Sequence, residues 1–279
     1  LKTACVFPGQ GSQKVGMGAK LFDTYPQLVK KANMILGYSI KRLCLNDPDN
    51  LLNNTEFTQP ALFVVNALSY IEYRKKNQEP IYLAGHSLGE YNALVAAGIL
   101  SFEEALRLVS IRGKLMATAK EGAMAAVIGI TREQLQEIIN SQYPQVEISN
   151  YNSYLQNIIS GPTEFIEKYN NIFSNMNIAY KRLNVSGAFH SSLMLPVRNR
   201  FEKYLSNIDA NSSNIIVLSN YTATPYNKNN VKENLCMHLV SPVKWLDSIE
   251  IMLKKTDRIV QIGPGRVLEG LTKRIAIGQ

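Results

Sequence analysis

Gly85-His86-Ser87-Leu88-Gly89 follows the apolar run Ile81-Tyr82-Leu83-Ala84 and precedes Glu90-Tyr91-Asn92-Ala93-Leu94-Val95-Ala96-Ala97. Read as strand, tight turn and helix, this is the grammar of a nucleophile elbow. Glycines let the main chain bend sharply and pack closely, so the serine is held in a strained turn with its hydroxyl presented. The helix that follows aims its N-terminus at the site, where it favours developing negative charge. The chemistry expected at Ser87 is acyl transfer. The five-residue pattern alone occurs by chance; the strand before it and the helix after it argue against a plain turn.

A serine hydroxyl is a poor nucleophile and needs a base within hydrogen-bond reach. The chain has three histidines: His86, His190 and His238. Neighbouring side chains on an elbow point different ways, so His86 is read as a packing or orienting residue beside the substrate. His190 lies in Ser186-Gly187-Ala188-Phe189-His190-Ser191, where a strand gives way to a helix. That junction projects a side chain into a cleft, and His190 is preferred to His238 as base. Arg112 lies among apolar neighbours in Leu108-Val109-Ser110-Ile111-Arg112-Gly113-Lys114-Leu115-Met116. A buried guanidinium needs a partner, because an unpaired internal charge is costly. Two partners are open: the carboxylate of a ligand, gripped by two parallel hydrogen bonds, or one of the chain's own acids.

The elements that must position these residues follow from local signals. Thr3–Phe7 reads as a buried strand ended by Pro8-Gly9-Gln10-Gly11, and Leu28–Leu36 as an amphipathic helix. Thr58–Lys76 reads as a long helix with Pro60 in its first turn. Ser101 and Glu104 form a capping box for a helix running to about Ala119. From 123 to 186 the order is strand, helix, strand, strand, helix, strand, with the two middle strands around a polar turn. The expectation is an α/β chain: an α/β-hydrolase-like large domain over 1–122 and 187–279, with a ferredoxin-like small subdomain inserted over 123–186.

Composition narrows the function. The 279 residues are 46% hydrophobic and 19% charged, enough for one large core and a subdomain. No apolar run approaches the roughly 20 residues that span a membrane, and no basic-then-apolar leader opens the chain. Leu1 in place of methionine reads as a trimmed chain or an excised domain. Cys5, Cys44 and Cys236 are far apart and make neither a metal pair nor a disulfide framework, which suits a reducing, cytoplasmic setting. The formal charge of +8 is scattered and not interleaved with aromatics. That pattern speaks against nucleic acid. It suits steering of an acidic partner or a phosphorylated molecule, or simple solubility.

Taken together, the motifs resemble the malonyl-CoA:acyl-carrier-protein transacylase family, with a form closer to the trans-acting acyltransferases of modular polyketide synthases than to the fatty-acid branch. The resemblance spans the chain: Phe7-Pro8-Gly9-Gln10-Gly11-Ser12-Gln13, Thr58-Gln59-Pro60-Ala61-Leu62, Gly85–Glu90, Arg112-Gly113 with Met116, Asn150 with Asn152-Ser153 and Ser160-Gly161, Gly187–Ser191, Ser241–Trp245 and Gly263-Pro264-Gly265. Arg112 stands 25 residues after Ser87, the family's spacing.

The resemblance implies a malonyl ester on Ser87, His190 as base, and the main-chain N–H groups of Gln10 and Leu88 as oxyanion hole. It implies Arg112 on the malonate carboxylate, Phe189 excluding an α-methyl, and Gln59 and Asn152 as further contacts. Malonyl-CoA is then substrate, with no bound cofactor or metal, and an acyl carrier protein, with polyketide synthase modules, is the partner.

Two departures stand out. His238 occupies the position where the family usually has Gln or Asn, whose main-chain carbonyl orients the base. Tyr154-Leu155 replaces the usual Pro-Gly of the substrate-side loop. Two other functions remain in play: an acyl hydrolase that clears stalled acyl groups from carrier proteins, and a non-catalytic carrier-protein docking module.

Overall fold

The computed structural model describes residues 1–278. Its strands are β1 (Thr3–Phe7), β2 (Tyr82–Gly85), β3 (Ala123–Ile128), β4 (Glu147–Ser153), β5 (Gln156–Gly161), β6 (Ala179–Arg182), β7 (Ile216–Val217) and β8 (Arg258–Gln261). They form two sheets. The first is parallel, in the order β7-β2-β1-β8. Strand β1 lies inside it, and all five of its residues are buried, as a parallel strand covered on both faces requires. The second is antiparallel, in the order β4-β5-β3-β6. With the helices Arg132–Gln142 and Thr163–Asn175 it makes a ferredoxin-like unit. The fold is therefore α/β, with a large parallel-sheet part and a small ferredoxin-like part.

Period-two alternation sets what the second sheet presents on each side. Ala123, Ala125 and Val127 face the small unit's own helices, packing with Leu135, Ile139, Ile166, Tyr169 and Phe173. Met124, Ala126 and Ile158 turn the other way and join the core of the large part. Two main-chain bonds fasten the units: Tyr151 N–H to Val243 O at 3.0 Å and Val243 N–H to Ser149 O at 2.9 Å.

Three local expectations are corrected. The long helix is Thr55–Arg74, so Pro60 lies beyond its first turn. Asn54 is the cap, its side chain accepting the Glu56 N–H at 3.1 Å. Thr58 turns its hydroxyl back to Leu52 O and Asn54 O instead. At Phe102–Ala117 only half of the capping box forms: Ser101 Oγ accepts the Glu104 N–H, while Glu104 Oε1 accepts the Asp209 N–H across the fold. Thr131 and Gln134 do close a full box. The segment read as a polar turn around Asn152 is the end of β4, paired with β5 through Asn150↔Ile158, Tyr151↔Asn157 and Ser153↔Gln156 across two register shifts. Those irregularities let polar side chains occupy a strand and still reach the cleft.

Candidate active site

The site lies at the carboxyl ends of β1 and β2, where ligands gather in parallel sheets. β1 runs into Pro8–Gly11 and β2 into the elbow. Ser87 has φ 50°, a left-handed conformation that a non-glycine residue keeps only when its surroundings impose it. The neighbours must be bare. A Cβ on Gly85 would lie 1.8 Å from Gly89 C, and one on Gly9 would lie 2.3 Å from His86 O. The main-chain N–H groups of Gln10 and Leu88 have no acceptor among the described residues, and both residues line the cleft. The Gln10 side chain is turned aside, its amide donating to Thr55 Oγ1 at 3.1 Å.

Ser87 Oγ is 2.9 Å from His190 Nε2. His190 Nδ1 is 2.8 Å from the main-chain oxygen of His238. A carbonyl accepts only, so the proton sits on Nδ1 and Nε2 is free to take one from the serine. Burial holds the His190 pKa well below the ordinary histidine range, helped by neighbouring His238 and Arg112. The ring is therefore neutral at neutral pH, the form a base needs.

Arg112 is 1% exposed. Its Nη1–H donates to Gln59 Oε1 at 2.7 Å and its Nη2–H to Ser87 Oγ at 3.1 Å. Among the described residues no carboxylate pairs with it. Of the two partners left open by the sequence, the internal acid is thus absent. Burial lowers the Arg112 pKa, the expected response of a cation without a counter-ion.

A cavity of about 250 Å³ connects these groups. Gln10, Gln59, His86, Ser87, Leu88, Arg112, Asn152, Phe189 and His190 all line it. His238 alone of the expected residues does not, because it stands behind His190, with ring centroids 4.7 Å apart. Much of the remaining wall is apolar, with Met116, Met124, Ile158, Leu183 and Val185, and Ser12, Asn150 and Gln156 add polar groups. His86 Nε2 meets Asn152 Oδ1 at 2.8 Å and its ring meets Trp245 edge-on at 5.3 Å. Burial pushes the His86 pKa down to about 4. Tyr154, in the departing turn, hydrogen-bonds Glu250 on the helix Trp245–Lys255.

Two residues were not anticipated. Asn220 accepts the Ser87 N–H on Oδ1 and donates from Nδ2 to Gly85 O, both at 2.7 Å. It comes from a loop 133 positions away, and nothing local to it announces the role. Glu90 is fully buried, although a glutamate early in a helix ordinarily faces water.

An α/β fold that presents an elbow serine to a neutral histidine, with two open N–H donors beside it, defines a serine acyltransferase. The chain belongs to the acyl transferase domain family, whose model matches residues 4–264. It is 47% identical to the polyketide biosynthesis malonyl CoA-acyl carrier protein transacylase PksC of Bacillus subtilis, over 97% of this chain and 96% of that protein. It is 44% identical to the polyketide biosynthesis protein ThaF of Burkholderia thailandensis, over 98% of this chain but only 24% of that longer protein. A crystal structure of a malonyl CoA-acyl carrier protein transacylase from Burkholderia pseudomallei superposes with a TM-score of 0.96 at 41% identity, covering 100% of this chain and 99% of that one.

Proposed function

We propose that the chain moves malonyl from malonyl-CoA to the phosphopantetheine thiol of an acyl carrier protein, in polyketide assembly and in the cytoplasm. The observation that carries this reading is the placement of Ser87 Oγ, 2.9 Å from His190 Nε2 and 3.1 Å from Arg112 Nη2. A nucleophile, its base and an unpaired guanidinium thus meet at one atom. The relatives' names point the same way. The catalytic parts lie in 1–122 and 187–279, and the inserted 123–186 unit forms the opposite wall of the cleft.

In the first half-reaction His190 Nε2 takes the Ser87 hydroxyl proton as Oγ attacks the thioester carbonyl carbon. The oxygen of the tetrahedral intermediate takes its negative charge to the Gln10 and Leu88 N–H groups; one such donor is worth about 3 kcal/mol in the transition state. The carbon–sulfur bond then breaks, and the coenzyme A sulfur leaves with the proton from His190. Malonyl remains as an ester on Ser87. In the second half-reaction the carrier thiol gives its proton to His190 and attacks the ester carbonyl; Ser87 Oγ leaves and regains its proton. Arg112 grips the free carboxylate throughout, with Gln59 fixing the guanidinium plane. No metal or bound cofactor enters either step.

Arg112 also separates this reading from a hydrolase of simple acyl groups and from a docking module, since neither needs a cation beside the nucleophile. The test is intact-protein mass after mixing with malonyl-CoA or acetyl-CoA. The parent should gain one malonyl group quickly and little acetyl, and Ser87→Ala should gain neither. Equal labelling by both, or turnover to free acid alone, would favour the hydrolase.

A further inference from the structure

Glu90 is a buried carboxylate that the chemistry above does not use. It stands at the second position of the helix Gly89–Ala96 and is 0% exposed. Serving the helix dipole alone would not require burial, and a buried carboxylate is costly unless its oxygens are satisfied. Oε1 accepts the Asn220 N–H at 2.7 Å and the Tyr226 hydroxyl at 2.9 Å. Oε2 lies 2.6 Å from His238 Nδ1, at ion-pair distance but without hydrogen-bond alignment, and has no other partner among the described residues. No lysine or arginine pairs with it among the described residues.

Each of two of these partners leads to one member of the reacting pair. Asn220 brackets the elbow, holding Ser87 N–H on one side and Gly85 O on the other. His238 gives its main-chain oxygen to His190 Nδ1 and stacks its ring on that of His190 at an interplanar angle of 23°. Both supported residues have left-handed main chains, Ser87 with φ 50° and His190 with φ 57°. Such conformations persist only where surrounding contacts over-determine them.

We propose that Glu90 is a positioning residue for both halves of the pair, setting Ser87 through Asn220 and His190 through His238. This rests on the reading of Ser87 and His190 as the reacting groups. A single carboxylate then fixes the 2.9 Å separation on which proton transfer depends, while Glu90 itself does not line the cavity that receives the substrate.

The test is the rate of malonyl uptake from malonyl-CoA by Glu90→Gln, His238→Leu and His238→Gln, each assayed where melting curves show it folded. Misplacing reacting groups by about 1 Å costs on the order of 100-fold. Glu90→Gln and His238→Leu should therefore lose roughly 10- to 100-fold in kcat with KM within about twofold. The His238→Gln amide can donate to the same carboxylate oxygen, so it should recover about tenfold over His238→Leu. Folded variants with the parent's kcat, or with the loss confined to KM, would overturn the proposal, as would a glutamine at 238 that rescues nothing.

If the variants do not fold, the parent decides. Its three histidines can be labelled with nitrogen-15 and their protonated nitrogens assigned by NMR. A proton on His238 Nδ1 facing the Glu90 carboxylate supports the arrangement, and a bare Nδ1 sinks it. A parent that takes up no malonyl would defeat the functional reading instead and leave this resonance to judge the Glu90 contact.

Discussion

Arg112 Nη2 donates to Ser87 Oγ, the same oxygen that faces the base, at 3.1 Å. With Gln59 on Nη1, the guanidinium is held by two neutral oxygens and retains its full charge for a ligand. A malonyl thioester carries its carboxylate one methylene from its reacting carbonyl, so a short acyl group can touch both groups at once.

Arg112→Ala should therefore separate substrates. Hydrogen bonds to charged groups contribute about 1.5–3 kcal/mol, so malonyl transfer should fall by roughly 10- to 100-fold. Acetyl transfer, which has no carboxylate to lose, should hold or rise. Rates of single-turnover labelling with the two thioesters measure this; a parallel loss of both would make Arg112 a structural residue.

The pH dependence follows from His190 and His86, whose folded pKa values are depressed by burial, to about 4 for His86. Above about pH 6.5 both residues are neutral, folded or unfolded, and contribute no slope. Below it the unfolded chain binds protons that the folded chain refuses, so stability falls as pH falls. Urea midpoints should decline from about pH 6.5 downward, before ordinary carboxylates titrate near 4. Acylation, which needs neutral His190, should stay flat as pH passes through 6.5. A rate that halves there would contradict the depressed value.

The elbow was legible because its information is local: an apolar strand, two close glycines and a helix lie within fifteen residues of Ser87. His190 was legible for the same reason, at a strand-to-helix junction. The partners of those residues were not. Asn220 reaches Ser87 across 133 positions and Glu90 across 130, and such pairings are set by the parallel order β7-β2-β1-β8 rather than by any local signal. Burial reversed the ordinary meaning of Glu90, a helix-start acid. The irregular β4–β5 register likewise turned what read as a loop at Asn152 into strand. Thr58, read as a helix start, proved to bond backward because Asn54 already filled the cap.

Asn152→Ala tests how the two units are joined at the cleft. Asn152 Oδ1 is the partner of His86 Nε2 at 2.8 Å. Removing it leaves a half-buried imidazole nitrogen beside Trp245 without its partner, and the loss of one such hydrogen bond costs about 0.5–1.5 kcal/mol. Chemical denaturation should show that loss. His86→Ala in the Asn152→Ala background should cost less than His86→Ala alone, because the pair is already broken; additive losses would mean the contact contributes nothing.

Phe189 adjoins the base and is 5% exposed, with its ring on the cavity wall and its carbonyl held by Ser160 Oγ at 2.9 Å. On the proposed reading, Phe189 excludes a branch on the acyl α-carbon. Phe189→Leu keeps an apolar side chain and shortens it, so main-chain placement of His190 should survive. One methyl group in an apolar pocket is worth about 1–3 kcal/mol of discrimination. The ratio of methylmalonyl to malonyl labelling should therefore rise by roughly 5- to 100-fold, chiefly through faster methylmalonyl uptake. If the ratio stays fixed while both rates fall, the ring supports His190 and another part of the wall sets the substrate.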